Sequence, residues 1–119
     1  MANGKQSESR AAYIIKNWLR NRYTIEFLGT WETIHNPNFK VVEFDYFRMH
    51  ADLPTFVISA SEWIEKTKAI GIIVKKGRYG GTYAFKDIAF EFGTAISVTL
   101  KLYLIEEFQQ LKEEILVKK

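Results

Sequence analysis

His35 and His50 are the two imidazoles of this chain, and it has no cysteine. Nucleophilic catalysis needs a serine, threonine or cysteine activated by a base, and no G-x-S-x-G turn occurs to hold one. Each histidine falls near the end of a helical stretch, where imidazole commonly interacts with the last carbonyls, and the two lie far apart in sequence with no i, i+4 pairing. Glu43 and Asp45 stand two apart, which on a helix points them in different directions, so they make no carboxylate dyad. No metal-ligand spacing is present. These residues predict no catalytic site, no bound metal, no cofactor and no small-molecule substrate.

The stretch VKKGRYGGTYAF, Val74 to Phe85, is different: it puts Gly77, Gly80 and Gly81 within five positions and brackets them with Lys75, Lys76 and Arg78. Glycines at this density let backbone amides approach a pyrophosphate. Here, however, the Gly-Lys-Ser/Thr ending of a P-loop is missing, the dinucleotide fingerprint is off its spacing, and no parallel βαβ unit surrounds the segment. The same glycines tolerate positive φ and weaken any helix or strand interior, so they mark a tight reversal. With β-prone flanks at 72–75 and 82–85 the reversal is a hairpin whose tip holds Lys75, Lys76, Arg78 and Tyr79 in solvent.

Such a tip suits a polyanion. Every cation that neutralises a phosphate of duplex DNA releases condensed counterions, so a few lysines in the right place supply most non-specific affinity. Lys66 and Lys68 lie just upstream, on the helix that feeds the hairpin. With helix and hairpin side by side, the helix enters the major groove while the tip follows the backbone or reaches the neighbouring minor groove. Arg78 is the candidate base reader, because its planar fork bonds guanine bidentately where a lysine offers a point charge. Tyr79 stacks on a base or bonds a phosphate. The plainer reading of these lysines is protection of an exposed strand edge. Trp18, Trp31 and Trp63 fall on apolar stripes and read as core, as does Tyr83 on the inward face of the second strand.

The chain has 119 residues, enough for one domain with a real core. Apolar residues make up 47% of it, which excludes disorder for most of its length. The lack of cysteine fits a reducing cytoplasm. No apolar run nears the roughly 18 residues that span a bilayer, and the start MANGKQSESR has no signal-peptide stretch. The net charge of +3 is uneven: residues 5–22 carry five cations and one acid (+4), 23–58 two and five (−3), 59–86 six and two (+4), and 87–119 four and six (−2). Two positive blocks are an argument for polyanion binding.

The elements that must position the hairpin follow from periodicity. Residues 1–10 are polar and aperiodic and read as a flexible tail ahead of a single domain, 11–119. A helix over 11–22 turns Ile14, Ile15, Trp18 and Leu19 to one side and Lys16, Asn17, Arg20 and Asn21 to the other. Thr24 is the expected cap of a second helix with Ile25, Phe27, Leu28, Trp31 and Ile34 inward, stopped by Pro37. A third helix over 39–50 draws on Val42, Phe44, Phe47 and Met49. TFVIS, 55–59, is rich in β-branched residues and predicts a short strand. Ser59 or Ser61 begins the next helix, Ser59 having capping-box spacing to Glu62, and Gly71 ends it. After the hairpin, KDIAFEFGTAI predicts a helix with Ile88, Ala89 and Phe92 inward. A last helix runs from Ser97 to about Val117, with Leu100, Leu104, Phe108, Leu111 and Ile115 on one stripe. The class is α+β, mostly helical with a small antiparallel sheet.

GRYGGTYAFKDIAFEFGTAIS, with the following KLYLIEEFQQLKEE, strongly resembles the KilA-N family, whose hallmark is a glycine-containing hairpin ending in G-T-aromatic, then a D-I/L-A helix and a hydrophobic last helix. NWLRNRYTIEFLGTWETIHNPNFKVVEFDYFR looks like its bacterial branch. The resemblance covers about 11–114. The family occurs in phage and bacterial proteins, is regarded as DNA-binding, and is similar to the fungal APSES transcription-factor domain, in which the hairpin is a wing and the preceding helix helps contact DNA. It implies a winged-helix-like domain binding double-stranded DNA in transcription regulation, with Gly77, Gly80, Gly81 and Thr82 in the wing turn and Lys75, Lys76 and Arg78 as wing cations. This chain departs from the pattern at Phe85, where a His is usual, and at AISVTL, where W-I-S-P-E-F is usual. An N-terminal strand pair common in such proteins is not seen ahead of NWLR, which implies a reduced sheet. Its exposed edge, or the C-terminal helix, would then serve a homodimer. The alternative reading is an antirepressor-like protein-interaction module that uses the C-terminal helix.

Overall fold

The computed structural model describes residues 2–78, 80–99, 101–102 and 105–106. Its element order is α1 (Ala2–Leu19), α2 (Arg22–His35), α3 (Val41–His50), α4 (Ala60–Thr67), β1 (Ile72–Lys75), β2 (Gly81–Ala84) and α5 (Lys86–Ile96). The strands pair antiparallel, Ile72 opposite Ala84 and Lys75 opposite Gly81. The chain is thus mostly helical with a two-stranded sheet among the described residues. It divides into two units, Met1–Ile88 and Ala89–Lys119.

Aromatic rings make the centre of the first unit. Trp63 of α4 is fully buried, with the rings of Phe47, Phe39 and Phe44 centred 5.8, 5.9 and 6.3 Å away. Phe56 meets Phe47 at 6.2 Å. Trp18, Leu19, Ile25, Leu28 and Trp31 are also buried in the core, so all three tryptophans are packed as their apolar stripes require.

Several local expectations change. Helix α1 starts at Ala2, so residues 2–10, expected as a tail, are helical. Helix α2 starts at Arg22 with Asn21 at its N-cap, and Thr24 is buried in the first turn instead of capping. The reason is a remote acceptor: the Arg22 N–H donates to Asp52 Oδ1 at 3.2 Å, and Asp52, at φ 73°, donates its own N–H to Arg20 O. A carboxylate from the loop after α3 thus does what a local hydroxyl was expected to do.

Helix α3 begins at Val41 and buries Phe44 and Phe47, while Val42 is 81% and Met49 75% exposed. Val42 and Met49 are seven residues apart and share the outer face. Ile34 is likewise exposed on α2. Residues 55–59 form no ladder, though Phe56 and Ile58 are buried and Val57 is exposed; the period-two burial of a strand persists without a partner to bond it.

Ser59 caps α4 as its spacing predicts: its Oγ accepts the Glu62 N–H at 3.1 Å. The helix ends earlier than Gly71, however. Lys68 takes the left-handed conformation, φ 61° and ψ 35°, and its N–H bonds Ile64 O. In α5, Ile88 is buried, whereas Ala89 is exposed and Phe92 half-buried. Beyond α5, Ser97 N–H bonds Gly93 O and Lys101 N–H bonds Ser97 O. The expected stripe Leu100, Leu104, Phe108, Leu111 and Ile115 lies outside the described residues.

Candidate nucleic-acid interface

Helix α4 packs against β1, the first strand of the hairpin. The helix buries Ala60, Trp63 and Thr67, spaced so that its other side, with Ser61, Glu65 and Lys66, faces solvent. Between α4 and β1 runs an open groove of about 440 Å³ lined by Ile64, Ala69, Ile70, Ile73 and Val74, with Ser61, Glu65 and Lys76 at its rim.

The hairpin's two roots are fixed by neighbouring residues of α2. At the entry, Glu32, 1% exposed, accepts the backbone N–H of Gly71 at 2.7 Å and that of Ile70 at 3.0 Å. Asn36 donates to the same carboxylate at 2.9 Å and to Lys68 O at 2.9 Å, and it takes the Asn38 N–H. A carboxylate buried this deeply keeps its charge tolerable by collecting several N–H donors. At the exit, Trp31 Nε1 donates to Asp87 Oδ2 at 3.3 Å, and its ring lies 5.1 Å from that of Phe85. Phe85 is thus an aromatic prop for Trp31.

The tip follows from its glycines. Gly77 has φ +104°, a conformation that residues with a Cβ rarely adopt. The Gly80 N–H closes onto Gly77 O at 3.0 Å, and a Cβ at Gly80 would sit 2.7 Å from Lys75 O. Gly81 opens β2, with Thr82 exposed beside it.

The predicted site residues fall as follows. Lys66 is exposed in the last turn of α4, Lys68 is exposed at its C-cap, Lys75 ends β1, and Lys76 and Arg78 are exposed in the turn. Tyr79 lies outside the described residues. Lys66, Lys68, Lys75 and Lys76 have no carboxylate partner among the described residues. The Lys75 ammonium sits instead over the ring of Tyr83, 5.3 Å from its centroid. Tyr83 is therefore not the core residue expected of it: at 48% exposure it carries a cation on its face.

His35 and His50 end α2 and α3, as their positions in the sequence suggest. His50 Nδ1 lies 2.8 Å from Tyr46 O, and His35 rests on Trp31 at 4.4 Å between ring centroids. No group of acids and histidines among the described residues is arranged to hold a metal ion. No helix among them is long and apolar enough to cross a membrane.

The chain that carries this hairpin matches the family model of the KilA-N domain over residues 5–114. The chain belongs to the KilA-N family. KilA-N domains are DNA-binding domains. No curated protein and no solved structure matches the chain. Glu32 and Asn36, which anchor the hairpin of this KilA-N chain, escaped the sequence reading. The available signal was an acid directly following Trp31 on the apolar side of α2, where a solvated residue has no place.

Proposed function

We propose that this chain binds duplex DNA without catalysis, α4 and the hairpin forming the contact surface and the hairpin serving as a wing. The observation that carries the reading is the set of exposed lysines on one supersecondary unit, Lys66, Lys68, Lys75 and Lys76, none with a carboxylate partner among the described residues. Membership in a DNA-binding family supports the choice of polyanion. The rigid roots at Glu32 and Trp31 favour it too, because a tip held at both ends loses little freedom when it meets a backbone.

Arg78, exposed in the same turn, has a fork that can bond a guanine edge, and the lysines act on phosphates. The exposed apolar residues Ile70 and Ile73 beside α4 offer contact to thymine methyl groups in the major groove.

Titration of a random-sequence duplex at several salt concentrations tests the reading. With four or five phosphate contacts, log K should fall against log salt with a slope of about −4. Replacing Lys75, Lys76 and Arg78 together by alanine should flatten that slope by about 2 to 3 units. An unchanged slope removes the hairpin from the interface. A chain that dimerises but binds no duplex would favour the protein-interaction module.

A further inference from the structure

The first positive block of the sequence has no role in the surface just described. Residues 5–22 carry five cations and one acid, Glu8, and no further acid follows until Glu26. The block lies on α1 and the start of α2. On α1, Arg10, Tyr13, Lys16 and Asn17 fall within one arc of roughly 120° at 3.6 residues per turn. Trp18 and Leu19, on the other side, are buried. Arg10, Tyr13, Lys16 and Asn17 are exposed, and Arg10 and Lys16 have no partner among the described residues. Arg20, in the turn just after α1, is half-buried and donates to Pro54 O at 3.1 Å, so it ties that turn to the loop at Pro54.

We propose that this outer face of α1 is a second duplex-contacting surface, engaging the DNA backbone through Arg10 and Lys16 with Tyr13 and Asn17 as hydrogen-bonding neighbours. The inference rests on the DNA-binding reading and extends it to an element outside the helix–hairpin unit. Helix α4 packs against β1, α3 and α1, so α1 and the hairpin strand β1 both border the helix that carries Lys66, within the reach of one duplex. Arg10 and Lys16 are separated by roughly 9 Å along the helix axis, about the axial reach of two to three phosphates on one strand.

The chemistry favours nucleic acid over the other anionic surfaces. A helix that lies on a lipid surface turns large apolar residues outward to enter the acyl boundary, and here Trp18 and Leu19 are turned into the core. A protein interface centres on apolar anchors, whereas this arc offers cations, an amide and a phenol, the groups that bond phosphate and sugar.

The test is the salt dependence of duplex binding by the intact chain, measured for wild type, the Lys75/Lys76/Arg78 triple alanine variant, an Arg10→Ala/Lys16→Ala double variant and Lys40→Ala. Alanine on an exposed helix face preserves the helix, and circular dichroism checks it. Lys40 is an exposed cation at the N-cap of α3, and serves as the control for net charge. With Arg10 and Lys16 engaged as well, the wild-type slope should steepen from about −4 to about −6, and the double variant should flatten it by about 1.8 units and weaken binding at 0.1 M salt by about tenfold or more, with Lys40→Ala unchanged. If wild type binds and the triple variant flattens the slope while the double variant does not, the α1 surface alone is refuted. Equal flattening per charge at Lys40 also refutes it, by showing a long-range effect of net charge. If wild type binds no duplex, the DNA-binding reading falls and the α1 surface with it.

Discussion

Glu32 Oε2 holds the backbone N–H of Gly71 at 2.7 Å across 39 positions of sequence. Gly71 is the residue before β1, so this one bond sets where the hairpin leaves the core. The neighbouring Trp31 sets where it returns, through Phe85 and Asp87. Two consecutive residues of α2 thereby determine the direction in which the connection from β1 to β2 presents Lys76 and Arg78. The strands themselves, four residues each, could not do so, since an isolated two-stranded hairpin is marginally stable.

Replacing Glu32 by glutamine should therefore loosen the hairpin root. The shape is kept, but one carboxylate oxygen becomes an NH2 group facing N–H donors, and a buried donor is left unsatisfied. The expected loss is about 2 kcal/mol, with Tm lowered by roughly 6–12 °C. Hydrogen exchange at Ile70 and Gly71 should quicken more than at Trp63. Unchanged exchange at those two amides would mean the carboxylate does not hold the root.

Lys68 separates stability from binding. Its left-handed backbone, φ 61° and ψ 35°, strains a residue with a Cβ, and glycine is the usual occupant of such a helix end. Lys68→Gly should stabilise the fold by about 1 kcal/mol. If Lys68 meets a phosphate, the same variant should also flatten the salt slope by about 0.9. Higher Tm with an unchanged slope would take Lys68 out of the interface while leaving the strain argument intact.

What was legible in the sequence, and what was not, divides by the range of the interaction. The Ser59–Glu62 cap is three residues long and its spacing states it. The hairpin could be read from its glycines, because Gly77 and Gly80 need backbone geometry that only glycine meets cheaply. The cap of α2 could not: Asp52 supplies it from 30 positions away, and Thr24 was the nearer candidate. Glu32 was hidden for the same reason, its donors lying 38 and 39 positions downstream. Periodicity also failed where a helix carries apolar residues on two sides, as α3 does with Phe44 and Phe47 inside and Val42 and Met49 outside. A period of 3.6 says which residues share a face and not which face finds a neighbour. Tyr83 shows the limit within the candidate site, since alternation put it inward on a sheet too narrow to cover it.

The turn itself gives the last prediction, a comparison of two glycines three positions apart. Gly77 has φ +104° with open space around the position of a Cβ, so Gly77→Ala pays for backbone strain alone, about 1–2 kcal/mol. At Gly80 a Cβ would lie 2.7 Å from Lys75 O and 2.9 Å from Gly77 O, and these are backbone atoms that cannot rotate away. Gly80→Ala must therefore break the Gly80 N–H to Gly77 O bond and re-form the turn. The larger loss of Tm and of hairpin amide protection should fall on Gly80→Ala, and duplex affinity should drop further for it than for Gly77→Ala, because the cations Lys75, Lys76 and Arg78 would be re-aimed without being removed. Thermal unfolding and the salt-dependent titration on both variants decide it. Equal losses, or a greater one at Gly77, would contradict the close approach of the backbone that gives this turn its shape.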